Sequence, residues 1–128
     1  MKRLIIILLA VILLTACGQN KEKEQEAVYV NITAQEAKLL MDTEEGYVIL
    51  DVRTQEEYEE GHIPGAILIP DFEIEAKAEN VLTDKDQMIL VYCRSGRRSK
   101  LAAQSLVELG YTDIREFGGI IDWPYEVE

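Results

Sequence analysis

From residue 28 onward, short apolar runs alternate with stretches whose apolar residues recur every three or four positions. "VYVNI" (28–32) is the first strand candidate. Thr33 and Glu36 then have the spacing of a capping box, and Ile32 and Ala37 that of a hydrophobic staple, so a helix should follow with Ala37, Leu40 and Met41 on one face. "YVILDV" (47–52) is apolar without interruption at its centre, as in a strand buried on both sides. Thr54 and Glu57 repeat the capping-box spacing for a short helix ending near Gly61. "AILIP" (66–70) is a third buried strand, and Asp71 can cap a helix with Ile74, Ala78, Val81 and Leu82 inward. "MILVY" (88–92) is the most apolar run of the domain, which predicts a central strand. A helix over about 97–109 would bury Ala102, Leu106 and Leu109 before stopping at Gly110, and "DIREF" (113–117) is a last strand. Alternation of this kind implies right-handed crossovers and a mostly parallel sheet, hence a small α/β domain.

The N-terminus breaks the pattern. "MKR" is followed by the uncharged run "LIIILLAVILL", short of the roughly 20 residues that a membrane-spanning helix needs, and then by "LTAC". This resembles the signal peptide and lipobox of bacterial lipoproteins. The resemblance implies cleavage of residues 1–16 and lipid on Cys17. Residues 17–27, with the polar stretch "GQNKEKEQEA", would be a lipidated cysteine and flexible tether reaching at most about 35 Å. Residues 28–128 would form the one folded domain. The expected location is extracytoplasmic, anchored to the cell membrane.

Cleavage would leave 112 residues, enough for one domain with a real core. Loss of Lys2 and Arg3 would take the net charge from −11 to −13. So acidic a chain argues against nucleic acid or anionic lipid as a partner. Membrane attachment would then run through lipid alone. With Cys17 lipidated, Cys93 would be an unpaired thiol in an oxidising compartment, a liability unless it is buried or used.

Cys93 opens "CRSGRRS" (93–99), the one concentration of positive charge in this acidic chain. The motif lies at the carboxyl end of a central strand and just before a helix, where open α/β sheets place their sites. Backbone N–H groups at a helix start favour an anion, Gly96 lets the loop curl, and Arg94, Arg97 and Arg98 add positive potential. Together they make a cradle for a sulfur nucleophile carrying negative charge. The competing reading is a structural cysteine before a basic helix. Arginines in a first helical turn oppose the helix dipole, so that reading leaves their placement unexplained.

"CRSGRRS", with "LDVRTQEEYEEGHIPGAILIP" earlier and "GG" plus a tryptophan near the end, resembles a single-domain rhodanese over about residues 28–128. The resemblance implies a five-stranded, mostly parallel sheet with helices on both faces. It also implies transfer of a sulfane sulfur through a persulfide on Cys93. The donor would be thiosulfate or a persulfide, and the acceptor a thiol, cyanide or a protein. Arg94, Ser95, Gly96, Arg97, Arg98 and Ser99 would bind the donor: loop N–H groups at the terminal sulfur, Arg98 with Arg97 at the sulfonate, Arg94 steering anions from solvent. Related phosphatases are associated with a loop one residue longer and an arginine at its seventh position. Here the seventh position is Ser99, which favours sulfur over phosphate. An arsenate reductase or phosphatase-like enzyme remains the alternative, as does a non-catalytic sulfur-carrier or interaction module.

Four residues support the loop. Asp51 should end its strand on the same sheet edge as Cys93, where it could orient a loop arginine or N–H groups, or simply pair with Arg53. Arg53 and Glu57, four apart, resemble an internal ion pair of the family. His62 in "GHIPGA" reads as structural rather than as a general base. No cofactor is implied, and one histidine with one cysteine in the domain makes no credible metal site. Phe117 and Trp123 should close the core.

Overall fold

A computed structural model describes residues 28–128. The signal peptide, the lipidated Cys17 and the tether of the sequence reading lie outside the described residues. In chain order the elements are β1 (Val30–Asn31), α1 (Ala34–Thr43), β2 (Val48–Asp51), α2 (Gln55–Glu60) and β3 (Ile67–Leu68). A 3-10 turn (Asp71–Glu73) then leads into α3 (Ile74–Val81), β4 (Ile89–Cys93), α4 (Arg97–Glu108) and β5 (Ile114–Gly119), and a second 3-10 turn covers Ile120–Asp122.

The strands form one sheet in the order β1-β5-β4-β2-β3, and every pairing is parallel. β4 is central, and each of its five residues is buried, as its unbroken apolar run requires. Side chains alternate across it. Ile89, Val91 and Cys93 face a core shared with α3 and α4, whereas Leu90 and Tyr92 face a second core with Ala37 of α1, Ile63 and Phe117. Helices therefore cover both faces. Ala102, Ala103, Leu106 and Val107 seat α4, and Leu106 alone removes enough apolar surface from water to stabilise the fold by about 1.5–3 kcal/mol. Trp123 packs against Phe117 and closes the second core.

The capping residues act largely as their spacing suggests. Thr33 accepts a hydrogen bond from the Glu36 N–H, and Thr54 with Glu57 completes a capping box in both directions. Asp71 does not cap a helix. Its N–H donates to the Val52 carbonyl, pinning the chain to the end of β2, so a 3-10 turn forms first and α3 starts only at Ile74. Val81 is half exposed rather than inward, while Ile74, Ala78 and Leu82 hold the helix to the core. "AILIP" contributes an edge strand whose two residues are half-buried, because no strand lies beyond it. No helix of the described residues is long and apolar enough to cross a membrane.

Candidate active site

Residues 93–99 turn from the end of β4 into α4. Gly96 sits at the N-cap with φ +101°, a left-handed conformation that favours glycine, and this curls the loop back on its own first residue. The Gly96 N–H consequently donates to Cys93 Sγ at 3.0 Å. The first-turn N–H groups of α4 have no intrahelical acceptor, and the helix dipole adds positive potential at the same spot. Cys93 is a free thiol, 1% exposed.

Beneath the loop lies Glu116, a residue the sequence reading did not single out. Ser99 is fully buried, and its hydroxyl donates to Glu116 Oε1 at 2.6 Å, while the Cys93 thiol donates to Ser99 Oγ at 3.3 Å. Glu116 is 2% exposed and also accepts from the Gly118 N–H at 2.8 Å. A bulge follows it. Val91 pairs with Glu116 and Cys93 with Gly119, so β5 carries one extra residue against β4 at the site. Gly118 takes φ +88° to accommodate it. Gly119 is required for a different reason: a Cβ there would lie 2.0 Å from the Arg94 carbonyl oxygen. "GG" is thus one glycine for conformation and one for space. The alternation of "DIREF" carries a signal for Glu116, because it shares the inward parity of Ile114.

The charged groups pair differently from the expectation that Arg53 and Glu57 form an ion pair. Arg53 turns back to Asp51, with Nη2–Oδ2 at 2.7 Å, and donates to the Gly61 carbonyl. Glu57 instead receives both guanidinium nitrogens of Arg98, at 2.6 and 2.9 Å. That hydrogen bonding holds the Glu57 carboxyl down at about 2, against its ordinary 4.5. The same pairing holds the Arg98 guanidinium against α2. Arg94 and Arg97 are exposed and enter no ion pair among the described residues. Ser95 is exposed at the loop's tip.

A family model for the rhodanese-like domain matches residues 33–124. The chain belongs to the rhodanese-like domain family. It is 40% identical over 73 residues to the thiosulfate sulfurtransferase PspE of Escherichia coli (strain K12), a match covering 57% of this chain and 70% of that protein. It is 37% identical over 112 residues to YrkF of Bacillus subtilis (strain 168), covering 87% of this chain but 60% of that relative, so it spans less than two thirds of the latter. Among solved structures, a rhodanese-like domain protein from Staphylococcus aureus superposes with a TM-score of 0.66 at 32% identity, over 77% of this chain and 96% of the other. Relatives named as thiosulfate sulfurtransferases support a rhodanese-type sulfurtransferase at family level.

Two of the expected supporting residues stand away from the rhodanese loop. Asp51 pairs in register with Tyr92, whose side chain faces the α1 side of the sheet, opposite to Cys93. It accepts from the Tyr92 hydroxyl at 2.6 Å as well as from Arg53, and so orients no loop group. Burial, and then donation to Asp51, push the Tyr92 phenol well above its ordinary range. His62 stacks on Tyr58 with ring centroids 3.9 Å apart. Its Nδ1 lies 3.0 Å from the Tyr58 carbonyl, and its backbone pairs with Glu128. These contacts make it a structural residue.

Clefts on either side of Trp123 indent the surface of the described residues. The larger, about 550 Å³, is lined by Lys38, Met41, Tyr47, Trp123 and Tyr125 on the α1 side and contains no residue of the 93–99 loop. The smaller, about 380 Å³, opens beside the loop between Arg94, Glu57, Ile120, Ile121 and Trp123. Its volume suits a small molecule or a side chain.

Proposed function

We propose that the protein moves a sulfane sulfur from thiosulfate, or a persulfide donor, to a thiophilic acceptor through a persulfide on Cys93. The supporting observation is the Gly96 N–H pointing at a buried, unpaired Cys93 Sγ at the N-terminus of α4. The Cys93 thiolate attacks the outer sulfur of thiosulfate, a new S–S bond forms, and the bond to the sulfonate group breaks with sulfite leaving on its electron pair. The terminal sulfur of the Cys93 persulfide carries one negative charge, and the loop N–H groups hold it as an oxyanion hole holds oxygen. Arg94 and Arg97, exposed and without carboxylate partners among the described residues, meet the donor's sulfonate. Arg98 shapes the loop through Glu57. A thiolate, cyanide or protein thiol entering beside Arg94 then takes the outer sulfur. The seventh loop position is Ser99, so no arginine stands where the phosphatase-like alternative would need one.

The test is direct. The soluble domain is incubated with thiosulfate, desalted and weighed intact. A gain of one sulfur atom, removed by cyanide and absent in Cys93→Ser, is expected. An unmodified Cys93 with every sulfane donor tried would refute the reading. We also propose that lipid on Cys17 tethers this domain outside the cytoplasm, on the strength of the "LTAC" segment. Cys17→Ala should then move the protein from the membrane fraction to the soluble one, and unchanged fractionation would exclude the anchor.

A further inference from the structure

The sulfur-transfer reading leaves one buried ionisable group without a task. Glu116 lies under the loop, linked to Cys93 through a single hydroxyl. A serine hydroxyl has one proton to give. Three acceptors lie around Ser99 Oγ: Glu116 Oε1 at 2.6 Å, the Gly96 carbonyl at 3.0 Å and the Gly118 carbonyl at 3.4 Å. The shortest has the length of a charge-assisted O–H···O⁻ bond, so the proton faces the carboxylate. The Ser99 lone pairs are then open to the Cys93 S–H at 3.3 Å. The result is a directional line from thiol to hydroxyl to carboxylate, with its residues 1%, 0% and 2% exposed.

Charge makes that line consequential. A thiolate and a carboxylate this close, both out of water, repel strongly. Compensation from neighbours is limited. From α4, Arg98 feels the Cys93 charge, but it is already paired with Glu57 of α2 and also feels Asp71 of the 3-10 turn. On β5, Arg115 is paired with Asp113. Arg94 and Arg97 are in water. One negative charge fits this pocket better than two.

We propose that Glu116 is the proton store of the reaction, a positioning residue that acts on Cys93 through Ser99. As the donor sulfur approaches, the S–H bond of Cys93 breaks and its proton passes to Ser99 Oγ. The Ser99 O–H bond breaks in the same event and that proton passes to Glu116 Oε1. The electron pair stays on Sγ, and no proton leaves the protein. The pair keeps a single negative charge throughout, first on the carboxylate, then on the thiolate and the persulfide. Once the acceptor has taken the sulfur, the two protons step back.

This inference rests on the sulfur-transfer reading, and one experiment separates the two. Wild-type protein is loaded with thiosulfate, and its mass first reports whether Cys93 has gained a sulfur atom. An infrared difference spectrum, loaded minus resting, should then show a carboxylic-acid carbonyl band, absent from Glu116→Gln and from Ser99→Ala. Glutamine keeps the acceptor for Ser99 and Gly118 but cannot take up a proton. In weak buffer with an indicator dye, Glu116→Gln should release one more proton per sulfur loaded than the wild type. Loading without the acid band, or with equal proton release, overturns the proton store and leaves sulfur transfer standing. Failure to load overturns both. A loaded wild-type spectrum without the acid band overturns the proton store even if neither variant folds.

Discussion

Replacement of Gly119 by alanine should disable the loop without touching its chemistry. Gly119 has φ −126°, a backbone conformation open to any residue, so alanine meets no strain there. The obstacle is space. An added Cβ would lie 2.0 Å from the Arg94 carbonyl oxygen, 2.4 Å from its carbonyl carbon and 2.6 Å from Ser95 Cα. All three atoms are backbone, so no side chain can rotate away. Relief to an ordinary contact requires the 94–95 segment to move by about 1 Å or more, which carries Cys93 and the Gly96 N–H with it. Overpacking of this kind costs about 1–3 kcal/mol, and a 1 Å misplacement of reacting groups can lower turnover about 100-fold. Gly118→Ala is the control. Nothing lies within 4 Å of a Cβ there, but φ is +88°, so its penalty is conformational, about 1 kcal/mol. Urea unfolding gives the stabilities, and thiocyanate formation from thiosulfate and cyanide gives the activities. Gly119→Ala should lose far more activity than Gly118→Ala relative to the stability each loses. Wild-type turnover in folded Gly119→Ala would refute the close approach of β5 to the loop.

The Glu57–Arg98 bridge makes a pH-dependent contribution. Because the folded carboxyl titrates at about 2 and its ordinary value is 4.5, the stabilisation is complete above 4.5 and is lost as pH falls toward 2. Screening at this half-buried pair limits it to about 1 kcal/mol. Glu57→Gln should therefore be less stable than wild type at pH 7 and nearly equal to it near pH 2, as read by urea denaturation at each pH; a constant gap would argue against the bridge. Tyr92→Phe removes the donor to Asp51 and the acceptor of the Ile63 N–H, both buried. It should cost about 1–3 kcal/mol by the same measurement. Thiocyanate formation should stay within a few-fold, because the hydroxyl lies on the sheet face opposite to Cys93; a large loss of turnover would place this array in the reaction.

Local physics made much of the protein legible from residues alone. Apolar runs, caps at Thr33 and Thr54, and the stop at Gly110 depend on neighbours a few positions away, and they place α1, α2, α4 and the central strand. The run "MILVY" before "CRSGRRS" likewise determines that a thiol, a turning glycine and a helix N-terminus converge. Tertiary structure decided which charge meets which. Spacing of four residues suggested Arg53 with Glu57, yet Arg98, 41 positions from Glu57, takes that carboxylate. The reason is that β2 and β4 are sheet neighbours, which brings α2 and the loop after β4 to the same end. Tertiary structure alone also set Asp51 on the far face, through its register with Tyr92. The bulge in β5 just past Glu116 brings the Gly118 N–H back onto its carboxylate and Gly119 against Arg94. Register and close approach arise between segments distant in sequence, and periodicity within a segment carries no record of them.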